Sequence, residues 1–218
     1  MNRLHHYFYF FFRHPIAFVI KRMIKIRVEG KHHIPNSGAV VLVSNHRSVY
    51  DPLIISSVLR RRIIWLVANY LRHIPFFGWA IKNAGMVFVN LEGKSSANSK
   101  DQALQALEKS QIIGVFPEGD DYLLKNDFTA EMEPFYSGLA TLALYENTIL
   151  LPTVLVPVKE NIKRIWIPNK IRKRINGRYA LPKPMFIIRY NEVKYIIGKP
   201  IDVKTLEDKS TQGILKIT

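Results

Sequence analysis

Ala39-Val40-Val41-Leu42-Val43-Ser44-Asn45-His46-Arg47-Ser48-Val49-Tyr50-Asp51-Pro52 is the stretch on which the reading of this chain turns. Ala39 to Ser44 is a short, valine-rich apolar run, the pattern of a buried strand. Pro52 to Leu59 follows with helical patterning, and strand–loop–helix units of this kind build α/β domains. His46 then lies just past the strand's C-terminal end, the edge at which ligands bind in open α/β sheets. His46 and Asp51 are five residues apart, so on one continuous helix they would point about 140° away from each other. They can cooperate only if His46 stays in the loop and Asp51 opens the helix, with the imidazole folded back onto the carboxylate. The pair is then a general base with its orienting group: the carboxylate fixes the tautomer and stabilises the imidazolium formed when the other nitrogen takes a hydroxyl proton. Each residue also has a purely structural reading. Asp51 before Pro52 fits an ordinary N-cap with proline at the first helical position, and a strand-end histidine can simply be hydrogen-bonded in place.

Outward from this segment, further strands are expected at Ile63 to Val67, Met86 to Val89, Ile112 to Phe116, Ile149 to Val156 and Ile162 to Ile167. Met185 to Tyr190 and Val193 to Ile197 read as a hairpin turning at Asn191-Glu192. Helices are expected at Ser99 to Lys109 and Ser137 to Tyr145. The first carries a capping-box pattern, Ser99 with Gln102, and an inward face of Ala103, Leu104, Ala106 and Leu107. The fold class is α/β, with a mixed, largely parallel sheet flanked by helices.

With 218 residues the chain has room for one such domain and a short appendage: residues 1–27 as an N-terminal segment and 28–218 as the α/β domain. The segment opens with Tyr7-Phe8-Tyr9-Phe10-Phe11-Phe12, then Arg13, His14 and Pro15. A charge and a proline at its middle argue against a spanning helix, and no small-residue cleavage site marks a signal peptide. Aromatic rings flanked by Lys21, Arg22, Lys25 and Arg27 suit the headgroup boundary of an anionic membrane, as a peripheral or monotopic anchor on the cytoplasmic face. The alternative is a helix packed on the core.

A net charge of +15 draws the chain toward polyanions. The most basic stretch, Lys159 to Lys183, interleaves Trp166 and Tyr179 with its cations, but no helix-turn-helix, zinc-finger or RNA-recognition signature accompanies it, so nucleic acid is not an expected partner. The absence of cysteine excludes thiolate nucleophiles and disulfides. Neither His5-His6 nor His32-His33 has partners at metal-ligand spacing, so no metal is expected. Gly93-Lys94-Ser95 looks like the end of a P-loop, but the required earlier glycine is Phe88.

Four blocks stand in order along the chain: Asn45-His46-Arg47-Ser48-Val49-Tyr50-Asp51; Gly85-Met86-Val87-Phe88-Val89-Asn90, reached through Pro75-Phe76-Phe77-Gly78; Val115-Phe116-Pro117-Glu118-Gly119; and the apolar strand carrying Pro152. In this set the chain resembles the glycerolipid acyltransferase family that includes lysophosphatidic acid acyltransferases. Gly198-Lys199-Pro200-Ile201 matches a further feature, and the resemblance runs from about Val28 to Ile201. It implies transfer of a fatty acyl group from a thioester, acyl-CoA or acyl carrier protein, to a glycerolipid hydroxyl, without a cofactor or a covalent acyl-enzyme. His46 would be the base and Asp51 its orienter. Asn45, Arg47, Ser48, Glu118, Gly119 and Lys125 would lie on the acceptor side, with backbone N–H groups near Gly119 as oxyanion donors.

The chain departs from the family pattern where cations meet the acceptor's phosphate. Leu91, Asp120-Asp121 and Tyr136 stand at such positions. A carboxylate about 6 Å from a phosphate charge costs on the order of 3 kcal/mol at an effective dielectric of 20. Either Arg47, Lys94 or Lys125 compensates, or the acceptor carries no phosphate monoester. An inactive basic lipid-binding module and a thioester hydrolase are the alternatives from other functional classes.

Overall fold

A computed structural model describes residues 3–90, 97–118, 138–173 and 183–206. Helix α1 (Arg3–Met23) leads into β1 (Lys25–Glu29), and β2 (Ala39–Ser44) into α2 (Asp51–Val58). Next come β3 (Ile63–Ala68), α3 (Phe77–Asn83), β4 (Val87–Val89), α4 (Ala97–Glu108) and β5 (Ile112–Val115). The chain continues through α5 (Gly138–Ala143), β6 (Thr148–Ile165), α6 (Asn169–Arg172), β7 (Met185–Ile197) and β8 (Ile201–Asp202).

Among the described residues the strands form one eight-stranded sheet in the order β1-β7-β6-β2-β5-β3-β4, with β8 beside β6. β2 pairs in parallel with both β5 and β6, as do β3 with β4 and β5, and β1 with β7; β6 runs antiparallel to β7 and β8. The sheet is therefore mixed and largely parallel, as its patterning predicts. All six residues of β2 are buried, because both faces are covered. Val40 and Leu42 pack with Ile20 of α1 and Ile54 and Ile55 of α2. Val41 and Val43 pack on the other side with Ala103 and Leu107 of α4 and Leu139 of α5.

The chain leaves β2 toward β3 on one side and later returns to β6 on the other, so the sheet reverses direction at β2. At such a switch point the loops beyond the strand ends diverge and leave a crevice. Val43 of β2 is in register with Val115 of β5, which brings the segments after both strands together at that crevice.

Four expectations change. Asn191-Glu192 is not a hairpin turn: β7 continues through it, and Ile149 to Ile167 is likewise one strand to Ile165 rather than two. The register shifts between Pro157 and Lys159, and again between Lys159 and Glu160. A β-bulge breaks the apolar alternation as a turn would, and Asn191, which the register passes over, instead accepts from the Asn161 side-chain amide at 2.6 Å. Ser99 lies inside α4 rather than at its cap, and Gln102 donates to Asn98 Oδ1 instead. β1 was not expected. It crosses the boundary drawn at residue 27, held on β7 by Arg27 and Lys25 around Glu192.

Candidate active site

Asp51 opens α2 and is fully buried, but its carboxylate serves the preceding loop rather than its own helix. Oδ2 accepts from the backbone N–H groups of Arg47 and Ser48, each at 2.7 Å, and from His46 Nδ1 at 3.1 Å. The loop thus wraps around a charge whose desolvation is offset by three charge-assisted hydrogen bonds. An oxygen already receiving two N–H donors takes the ring N–H as its third. Nδ1 then carries the proton, and Nε2 is left as the basic nitrogen.

The imidazole is held by its face as well as its edge. Phe116, just past β5, stacks on it with centroids 4.0 Å apart and planes 17° apart, and Trp65 of β3 stacks on Phe116 at 4.7 Å and 3°. The Trp65 indole donates to Ser56 Oγ at 3.0 Å, tying the stack back to α2. Gly114 makes room for it, since a Cβ there would lie 2.5 Å from the Trp65 ring.

Behind Asp51 stands Tyr190 of β7, fully buried. Its hydroxyl and Asp51 Oδ1 lack conventional hydrogen-bond geometry to any partner, yet they lie near enough to interact electrostatically. Burial foremost, then the Asp51 charge, push the Tyr190 pKa well above the ordinary tyrosine value. Glu160, in register with Tyr190 past the bulge, receives Arg47 at 2.8 Å. That ion pair, through the Glu160 hydrogen bond first, raises the Arg47 pKa.

The proposed acceptor residues divide accordingly. Asn45 accepts from Leu155 N at 2.8 Å and donates to Leu155 O at 3.0 Å, extending the β2–β6 pairing by one residue. Ser48 is buried and donates to Ile188 O at 2.7 Å. Glu118 is brought to the site and accepts from the His46 N–H at 3.3 Å. Gly119, Lys125, Leu91, Lys94, Asp120, Asp121 and Tyr136 lie outside the described residues. The sequence reading missed Glu160, Tyr190 and Trp65. Phe116 alone had a signal, its place inside the Val115 to Gly119 block.

His46 also lines a cavity of about 690 Å³ bounded by α1, α2, α3, α4 and α5, whose walls include Phe12, Ile16, Leu53, Trp65 and Phe77. The volume is in the range of small-molecule sites, and the lining is mostly apolar.

A family model described as Acyltransferase matches residues 25–158. This chain belongs to the acyltransferase family. It is 31% identical over 89% of its length to a 1-acyl-sn-glycerol-3-phosphate acyltransferase alpha of Bos taurus, covering 63% of that protein. It is 30% identical over 68% of its length to a 1-acyl-sn-glycerol-3-phosphate acyltransferase of Borreliella burgdorferi, covering 56% of that one. The chain therefore spans somewhat under two thirds of these relatives. Its fold is that of a 1-acyl-sn-glycerophosphate (LPA) acyltransferase from Thermotoga maritima, with a TM-score of 0.61 at 19% identity over 94% of this chain and 74% of the other. The family match takes in the His46–Asp51 pair and Glu118 but ends before Glu160.

Proposed function

We propose that this chain moves a fatty acyl group from a thioester, acyl-CoA or acyl carrier protein, to a glycerolipid hydroxyl at a membrane surface. One observation carries the reading: His46, oriented by Asp51, stands at the wall of an apolar cavity. The cavity would take the acyl chain and present its thioester carbonyl to the imidazole. His46 Nε2 removes the acceptor's hydroxyl proton as the oxygen attacks, and the imidazolium returns it to the departing thiolate. A thioester is already activated, so proton transfer, worth about 10²–10⁴-fold, together with oxyanion stabilisation can suffice. The relatives' names point to a 1-acylglycerol 3-phosphate as acceptor.

The membrane part of this reading is supported by α1. Tyr9, Ile20 and Arg13 face the protein: Tyr9 and Ile20 are buried, and Arg13 Nε donates to Ser56 O at the end of α2. Leu4, Tyr7, Phe11 and Phe18 are exposed on the opposite side, within about 60° of one another at 100° per residue. No described helix is long and apolar enough to cross a membrane. An exposed apolar stripe with cations at its end suits a helix lying in the cytoplasmic leaflet's interface.

The test is an acceptor screen with labelled acyl thioesters and mass spectrometry of the products. Acyl transfer to glycerolipid hydroxyls is expected; thioester hydrolysis indifferent to acceptor, or no turnover, overturns the reading. The engaged Arg47 favours a second reading of the acceptor alone, as a lipid without a phosphate monoester.

A further inference from the structure

Helix α3 begins in a turn that the protein's own packing does not explain. Phe77 N–H donates to Pro75 C=O at 2.6 Å, with Phe76 between them at φ 60°, ψ −46°. This is the rare hand of the γ-turn, and a bulky side chain at positive φ is strained. The turn is pressed against the helical turn before it, where a Cβ on Gly78 would lie 2.3 Å from the Arg72 carbonyl oxygen. No packing of the ring offsets the strain: Phe76 is 87% exposed. Phe77 and Trp79 beside it are also more than half exposed.

The patch does not stand alone. Trp79 meets Phe8 of α1 edge to face at 5.3 Å, so it continues from the helix whose outer side is exposed and aromatic. Its charge is one-sided: no Asp or Glu precedes Glu29, and none lies between Asp51 and Glu92, while Arg72, His73 and Lys82 flank the turn in exposed positions. Aromatic tips flanked by cations, on stretches of sequence that carry no carboxylate, match an anionic lipid interface. A second copy of a chain carrying +15 would bring like charge.

We propose that the turn at Phe76, with Trp79, is a second point of membrane insertion. Resting on the reading that the chain works at a membrane, it gives the domain two contacts, α1 and this turn, and so fixes its tilt. Phe77 is both exposed and part of the cavity wall, so that tilt turns this side of the cavity toward the lipid.

The experiment uses the full chain in a Trp166→Phe background, with phosphatidylglycerol vesicles whose phosphatidylcholine carries brominated acyl chains. Quenching of tryptophan emission is expected and should be lost when Trp79→Phe is added. Phe76→Asn should lower vesicle affinity about tenfold without lowering the melting temperature, since asparagine tolerates positive φ. Phe11→Ser with Phe18→Ser on α1 separates the two ideas. If that pair abolishes binding while Phe76→Asn and the Trp79 signal change nothing, the turn is not an insertion point and α1 alone is the anchor. If the wild type ignores vesicles, both readings fall. If Phe76→Asn turns a sedimenting dimer into a monomer without altering vesicle binding, the patch is a self-association surface and the proposal is overturned.

Discussion

Arg47 and Glu160, 113 residues apart in sequence, form a two-pronged ion pair in which Nη2 lies 2.8 Å from Oε1 and Nε 3.4 Å from Oε2. The bulge in β6 re-aims the strand just where Glu160 must face the loop after β2. Both side chains keep some solvent contact, so the pair adds little to stability. Its consequence is chemical: the cation beside His46 is already neutralised, and in the proposed reaction an acceptor phosphate would have to compete for it.

Glu160→Gln should therefore release Arg47 toward phosphate. We expect kcat/KM for a lysophosphatidic acid to rise relative to that for a neutral monoacylglycerol, by up to about tenfold for one charge-assisted contact. Both acceptors would be assayed in the same vesicles. A fall in the ratio would show that the pair is needed intact and that phosphate is held elsewhere.

His46→Ala should lower kcat about 10²–10⁴-fold with little change in melting temperature, since the ring sits at the edge of the crevice and its loss leaves the Arg47 and Ser48 bonds to Asp51 in place. Asp51→Asn should be milder in activity and harsher in stability. The amide keeps an oxygen for the loop but loses the buried charge that three donors share. Single-turnover kinetics beside thermal melts would separate the two. Full activity in His46→Ala would refute the mechanism.

How much of this was legible in the sequence follows from how local each signal is. The β2 strand, the loop placement of His46 and the helix opening at Asp51 lie within fourteen residues, and residue type and spacing announced them. Glu160 and Tyr190 reach the same site through β6–β7 pairing, and nothing near them in sequence points to His46. The bulge that delivers Glu160 was read as a break between strands, because both interrupt an apolar alternation. The acceptor-side roles expected for Asn45 and Ser48 came with the family resemblance, which carries no information on their partners in the fold, where both side chains bond to the backbones of β6 and β7.

Gly114→Ala tests whether the ring stack matters. A methyl group there would lie 2.5–2.6 Å from Trp65 ring carbons and 2.8 Å from Ile63 Cγ2, so Trp65 must shift and Phe116 with it. Overpacking of this kind costs about 1–3 kcal/mol. The catalytic prediction is a lower kcat at unchanged KM, because His46 loses its facing ring while the acceptor side is untouched. Adding Trp65→Phe should restore part of the loss by relieving the clash. If Gly114→Ala lowers stability alone, the stack is core packing and does not position the base.

Tyr190 and Tyr195 give the fold a limit on its alkaline side. Both are fully buried, and burial first of all raises both pKa values above the ordinary one; the Asp51 charge adds to the shift at Tyr190, and the neighbouring Thr153 hydroxyl opposes it at Tyr195. Below about pH 10 each phenol is neutral whether the chain is folded or not, so neither makes stability depend on pH. Above about pH 10 the unfolded chain releases these protons while the folded one retains them. The unfolded state then binds fewer protons, and stability falls as pH rises, by about 1.4 kcal/mol per pH unit for each tyrosine. Urea unfolding between about pH 8 and 11 should show the decline, and Tyr195→Phe should flatten it by one tyrosine's share. Lysines also titrate in this window, so the decisive quantity is the difference between wild type and variant. Tyr190→Phe should flatten the slope equally while also changing the activity profile, because it alone borders Asp51. Parallel wild-type and Tyr195→Phe curves would mean that the phenol reaches water and ionises in the folded state.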